Sequence, residues 1–253
     1  MITSYKLILS PSDGMRIMPS DSYKLYSWLL SGIPVEYADE LHIQQGHPVS
    51  QSVCYDAEVK APVWRVNLLT DEASALFSPV LERAECIALH TGSIGIAHRE
   101  AACQTDFKAL ILRGRELSSN RAELRFVTGA SFKQNGSYVI FPQERLILQS
   151  LANRWNSFCP EYPLADADAL AMLASGLCIS DYSLHTVRYN LKNAYIPAFV
   201  GRVTVTARLP VPLLELWNAL LCWAPYSGIG IKTALGMGGV DVRFAEKRTA
   251  QGE

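Results

Sequence analysis

The sequence predicts an α+β protein of two tandem ferredoxin-like (RRM-like) domains, the second ending in a glycine-rich loop. Three observations predict it. Hydrophobic periodicity runs strand–helix–strand–strand–helix–strand, and that order is read twice along the chain. A length of 253 residues suffices for two domains of roughly 100–150 residues, each with its own core. A polar stretch, GRELSSNR at 114–121, separates the two readings as a linker. The expected domains are residues 1–113 and 122–253. No sequence repeat relates them, so the duplication is architectural.

In the first half, Thr3 to Ser10 (TSYKLILS) reads as a strand. Asp21 to Leu30 follows as a helix: Ser20 or Asp21 can cap it, Leu25, Trp28 and Leu29 share a face, and Gly32 can end it. Pro34, favoured in a first helical turn, starts a shorter helix through VEYADELH to His42. Val49 to Tyr55 and Val63 to Leu69 look extended. Thr70 caps a helix from Asp71 to Arg83, after which Cys86 to Leu89 and Ala109 to Arg113 read as strands.

In the second half, Ala122 to Thr128 is a strand, and Asn135-Gly136 is a strong turn signal before a hairpin arm from Ser137 to Phe141. Helices are expected from Gln143 to Phe158 and from Ala165 to Ala174. Two long extended runs, Leu177 to Leu191 and Pro197 to Leu209, precede a last helix, Pro212 to Pro225, and a final strand, Val240 to Phe244.

Composition removes several functional classes. With 49% apolar and 19% charged residues the chain is ordinary for a globular fold. The N-terminus lacks a basic leader and a long apolar run, and no apolar stretch approaches the roughly 20 residues of a membrane span. A cytoplasmic protein with no membrane partner is expected. The six cysteines form no C-x-x-C pair or short Cys/His cluster, and no histidine pair has H-E-x-x-H spacing. No metal or other cofactor is expected. Serines form no G-x-S-x-G elbow, which argues against a serine hydrolase. The net charge of −1 is unevenly spread: residues 108–154 carry 8 basic and 3 acidic side chains, residues 155–181 carry 0 and 4. Local potential, rather than total charge, attracts a polyanion.

The most informative stretch is Tyr226 to Gly239, YSGIGIKTALGMGG. Glycine lets the backbone approach a ligand, and a cation inside such a loop suits phosphate binding. The spacing matches neither G-x-x-x-x-G-K-[ST] nor G-x-G-x-x-G, since Ile231 precedes Lys232 and Thr233 stands where a third glycine is needed. The competing reading is a glycine-lined turn between a helix and the last strand.

This segment resembles the C-terminal glycine-rich signature of the CRISPR-associated endoribonucleases that cut precursor CRISPR RNA at its repeats, members of the RAMP superfamily. The likeness extends upstream. Phe132-Lys133, Pro142 and Arg154-Trp155-Asn156 fall in one similar block, and Ile179-Ser180-Asp181-Tyr182 through Phe199-Val200-Gly201 fall in another. In the N-terminal half the similarity is confined to the surroundings of Leu41-His42.

The resemblance implies a metal-independent endoribonuclease in which a 2′-OH attacks the adjacent phosphate. Histidine suits the proton transfers because it titrates near neutrality. Of five histidines, His42 is the expected catalytic one, at a helix C-terminus before a glycine turn. His47, near where some family members have a lysine, is expected as a second acid/base or a phosphate contact, and Tyr26 is the expected assisting tyrosine. His90, His98 and His185 read as structural. For RNA, Lys232 leads as a phosphate contact, with the loop amides of Gly228, Gly230, Gly236 and Gly238, and with Lys133, Arg188 and Lys192 as further contacts. The implied partners are CRISPR repeat RNA, as precursor and mature guide, with effector-complex subunits or a homodimer as further possibilities. The rival is a non-catalytic RNA-binding scaffold subunit of the same superfamily.

Overall fold

The structure is a computed structural model that describes every residue except 13, 44, 45, 90, 91, 192, 193 and 246–253, and the side chain of residue 42. In the first half the chain runs β1 (Ile2–Pro11), a 3-10 turn (Pro19–Asp21), α1 (Ser22–Ser31), α2 (Val35–Ile43), β2 (Val49–Asp56), β3 (Ala61–Leu68), α3 (Asp71–Arg83), β4 (Cys86–Leu89), β5 (Gly92–Arg99) and β6 (Cys103–Thr105). The strands form one antiparallel sheet in the order β2-β3-β1-β5-β4, with β6 also paired to β1. Tyr5, Leu7 and Leu9 alternate along β1 and are buried against Leu25 and Leu29 of α1 and Phe77 and Leu81 of α3. Thr70 caps α3 as expected, its hydroxyl accepting from the Ala73 amide at 3.1 Å.

The second half runs α4 (Phe107–Leu117), β7 (Arg121–Ala130), β8 (Phe132–Gln134), β9 (Ser137–Val139), α5 (Glu144–Phe158), α6 (Ala167–Ser175), β10 (Leu177–Leu191), β11 (Ala194–Ala207), α7 (Val211–Ser227) and β12 (Val240–Phe244). Its main sheet is antiparallel in the order β10-β11-β7-β12. With β1, β2, β3 and β5 counted in the first half, both sheets place their ferredoxin strands in the order 2-3-1-4. The expected two-fold reading of the fold therefore holds. Asn135 and Gly136 take φ of 48° and 81°, the two positive values a tight hairpin turn requires. The core is aromatic: Phe107 packs edge-on against Trp155 at 4.9 Å and tilted on Trp223 at 5.1 Å, with Trp217 buried beside them.

Residues 109–113 are helix rather than the expected strand. The apolar run ALILR suits either state over five residues, and its flanks decide. Asp106 caps α4 through the Ala109 amide at 2.7 Å, and Phe107, Leu110, Ile111 and Gly114 form one helical stripe. That stripe lies on α7 so closely that a Cβ on Gly114 would stand 2.5 Å from the Ala219 backbone nitrogen. Leu110 and Ile111, expected in the first domain, thus belong to the second core.

The glycine-rich segment joins the halves. Gln51 donates to the carbonyls of Ser22 at 2.7 Å and Ala234 at 2.9 Å, while its oxygen accepts from the Trp64 indole at 2.6 Å. On the opposite face of β2 and β3, Ser50 donates to the Tyr226 carbonyl, Asn67 to the Pro225 carbonyl at 3.1 Å, and Arg65 pairs with Asp241. Gly236 has φ of +95°, and a methyl there would collide with the Ser22 side chain and lie 2.6 Å from the Tyr189 hydroxyl. Glycine is needed here for close approach of the two halves.

Candidate active site

Two helices, one from each half, wall a cleft of about 600 Å³. Tyr23, Tyr26, Ser27 and Leu30 of α1 face it, at the i, i+3, i+4, i+7 spacing of one helix side. Leu146, Gln149, Ser150, Asn153 and Arg154 of α5 face it at the same kind of spacing. His47, Phe132, Lys133 and the loop from Gly230 to Leu235 complete the lining. Among the described lining residues there are three Lys or Arg side chains and no Asp or Glu. The cleft therefore favours an anion.

The loop is held rigidly. The Gly230 amide donates to the Ser150 hydroxyl at 2.8 Å, and the Ile231 amide to the Ser131 carbonyl at 3.0 Å. Lys232 takes φ 56° and ψ 37°, the left-handed region, which costs a non-glycine residue about 1–2 kcal/mol. Its carbonyl accepts from the amides of Leu235 at 2.9 Å and Met237 at 3.3 Å, which holds that conformation, and its side chain is exposed. Strain retained at a cleft is the kind that marks a functional position.

Tyr26 is 4% exposed, and its ring meets that of His47 edge-on with centroids 6.4 Å apart. Its hydroxyl is buried and finds no hydrogen-bond partner among the described residues. Burial pushes the phenol above its ordinary pKa, so it is a neutral O–H donor at physiological pH. Arg154 lies half-buried beside it. One terminal nitrogen reaches the His47 carbonyl at 3.5 Å, and the guanidinium sits 5.5 Å from the Phe158 ring. Desolvation lowers its pKa to about 10, which leaves it charged at neutral pH.

Of the expected site residues, the fold brings Tyr26, His47, Lys133, Lys232 and Gly230 to this cleft. His42 stands one residue before the end of α2, and its side chain lies outside the described residues, as do Lys192 and His90. Arg188 is exposed on β10 but is not part of the lining. His98 on β5 and His185 on β10 are exposed and also lie away from it.

The loop amides need a correction. Those of Gly228, Gly236 and Gly238 are bonded internally, to the carbonyls of Ala224 at 2.9 Å, Thr233 at 3.4 Å and Gly129 at 3.0 Å, and all three residues are buried. The Gly230 amide is used by Ser150. These glycines serve turning and packing, and the loop presents a lysine rather than a nest of free amides.

The reading of the sequence missed the α5 face. The Arg154-Trp155-Asn156 triplet was visible, but its three residues do three things. Trp155 is in the core with its indole N–H on the Tyr162 carbonyl at 2.9 Å. Asn156 holds the Leu164 backbone through both amide atoms at 3.0 and 2.7 Å. Arg154 alone faces the cleft. The available signal was a helix interrupting its apolar stripe with Gln149, Ser150 and Asn153 in register with an arginine.

Comparison with known proteins bears on the family and the fold. The family model for the CRISPR-associated endoribonuclease Cas6 matches residues 124–240. A solved Cas6 product complex has a TM-score of 0.79 and 25% identity, covering 96% of this chain and 100% of its own. The Cas6 of Thermus thermophilus, at 23% identity, shares the fold with a TM-score of 0.76 over 96% of this chain and 98% of its own. A CRISPR-associated endoribonuclease Cas6 of Mycobacterium tuberculosis is 27% identical over 87% of this chain and 70% of its own. One of Streptococcus thermophilus is 30% identical over 95% of this chain and 96% of its own. Similarity of that extent, over both halves and not only the glycine-rich block, places the chain in the Cas6 family of CRISPR-associated endoribonucleases.

Proposed function

We propose that this protein cuts precursor CRISPR RNA within its repeats by a metal-independent transesterification, and that the RNA lies in the cleft between α1 and α5. One observation carries the reading: Tyr26, His47, Lys133 and Lys232, from four separate segments of both halves, converge on one cleft with no carboxylate among its described lining residues. A polyanion is the ligand such a lining suits. The resemblance of the product-bound relative supports RNA as that ligand.

In the proposed reaction the ribose 2′-oxygen attacks the neighbouring phosphorus, and the bond from phosphorus to the 5′-oxygen breaks. The 2′-OH proton passes to a base and a proton returns to the 5′-oxygen. The products are a 2′,3′-cyclic phosphate and a 5′-hydroxyl. We assign the proton transfers to His42. It precedes His47 by five residues, so an extended chain could place their Cα atoms no more than ~18 Å apart. Lys232 and Lys133 offset the charge that builds on the phosphoryl oxygens. Tyr26 and His47 donate hydrogen bonds that hold the phosphate in line. Residues 1–113 would then supply the proton chemistry and residues 122–253 most of the charge.

The test is cleavage of end-labelled repeat RNAs with EDTA present. The expected result is a product with a cyclic phosphate end, and a His42→Ala rate about 10²–10⁴-fold lower with binding kept. Repeat RNA bound but never cut by the wild type would favour a non-catalytic scaffold. A His42→Ala protein cutting at the wild-type rate would remove His42 from the chemistry.

A further inference from the structure

We propose that Arg154 is a phosphate-binding side chain of the cleft, a fork-shaped contact to the RNA backbone that also pins the turn carrying His47. The inference rests on the cleft being the RNA site. Its basis is the arginine's incomplete set of partners. A guanidinium has five N–H donors. Among the described residues its hydrogen bond is a single long one of 3.5 Å, to the His47 carbonyl, and Nε is buried with no acceptor. The described lining residues include no carboxylate, and the Phe158 ring, 5.5 Å away, lies against the group without neutralising it.

A cation taken partly out of water without a counter-charge destabilises the free protein. Lys133 and Lys232 open into the same space, so the uncompensated charge is shared by three side chains. A planar fork with free donors matches two oxygens of one phosphate, a geometry a lysine cannot reproduce. Its bond to the His47 carbonyl links that contact to the N-terminal half. Phosphate engaged by Arg154 is thereby set in register with the segment following α2. Burial of the arginine before RNA arrives also removes most of the rotamer entropy that a surface arginine loses on binding.

The experiment compares wild type, Arg154→Gln and Arg154→Lys in binding a repeat RNA made non-cleavable by 2′-fluoro substitution, over a series of salt concentrations. Arg154→Gln is expected to bind about 10- to 100-fold more weakly and to flatten the slope of log K against log salt by about 0.7–0.9. Its melting temperature without RNA should not fall, because an uncompensated charge has been removed. Arg154→Lys should recover the salt slope but only part of the affinity. A purely structural arginine predicts the opposite pattern, a lower melting temperature with an unchanged slope, and that result overturns the inference. If Arg154→Gln does not fold, Arg154→Lys with wild-type affinity overturns the fork contact. Wild type that fails to bind repeat RNA overturns the RNA reading itself, and this inference with it.

Discussion

At the scale of a single residue, Tyr26 allows stability and activity to be tested separately. Its hydroxyl is buried with no partner among the described residues, a state that costs about 1–3 kcal/mol where nothing offsets it. Tyr26→Phe should therefore leave thermal stability unchanged or slightly higher, yet lower cleavage about 10-fold if the hydroxyl meets the phosphate. Melting and single-turnover cleavage of the same preparation test both halves of this prediction. The pH dependence follows from the same burial. The folded pKa is raised above that of an exposed tyrosine, so stability from the neutral phenol is complete below about pH 10 and is lost as pH rises above it toward the raised folded value. Tyr26→Phe should shift the alkaline unfolding midpoint upward; an unshifted midpoint would show that the phenol titrates normally. Tyr26, His47 and Lys232 were legible as candidates because their residue types carry the chemistry. Arg154 was not, because an arginine on an amphipathic helix reads as solvated until the opposite wall of the cleft is known.

Among the elements, α3 and β12 keep the bounds their sequence signals predict. Thr70 with Asp71 and Glu72 marks a helix start unambiguously, and VDVRF follows the last glycine as a strand must. The element α4 was misread because a five-residue apolar run has no resolvable period. Its environment offers a sharp test. Gly114 crosses α7 with no room for a methyl, since the nearest obstacle is backbone, 2.5 Å away at Ala219, and cannot rotate aside. Gly114→Ala should destabilise the protein by about 1–3 kcal/mol despite alanine's better helix propensity. Urea unfolding with an unchanged m-value and a lower midpoint is the expected readout. A stabilised variant would mean that the two helices pack further apart.

For the whole molecule, the glycine-rich segment is the joint on which the site depends. Gly236 meets α1 at Ser22 and the β10 hydroxyl of Tyr189, which itself donates to the carbonyls of Pro19 at 2.9 Å and Leu235 at 3.0 Å. A side chain there forces the halves apart and moves Tyr26 relative to Lys232. Gly236→Ala, strained in φ as well, should lose about 2–4 kcal/mol and reduce cleavage more than RNA binding. Binding and cleavage reduced by the same factor would place the effect on phosphate contacts rather than on alignment of the two walls.

The sequence by itself determined most of the order of elements, α4 and β5 excepted, the two-fold ferredoxin arrangement and the residue types able to move protons or hold phosphate, because periodicity, caps and turn chemistry are local. Only the tertiary structure decided that three of the signature glycines are spent on packing, that Gly230 gives its amide to Ser150, and that an arginine from a core helix faces the cleft. Those outcomes depend on which backbone donors find partners across the joint between the halves, and such pairings join residues far apart in the chain.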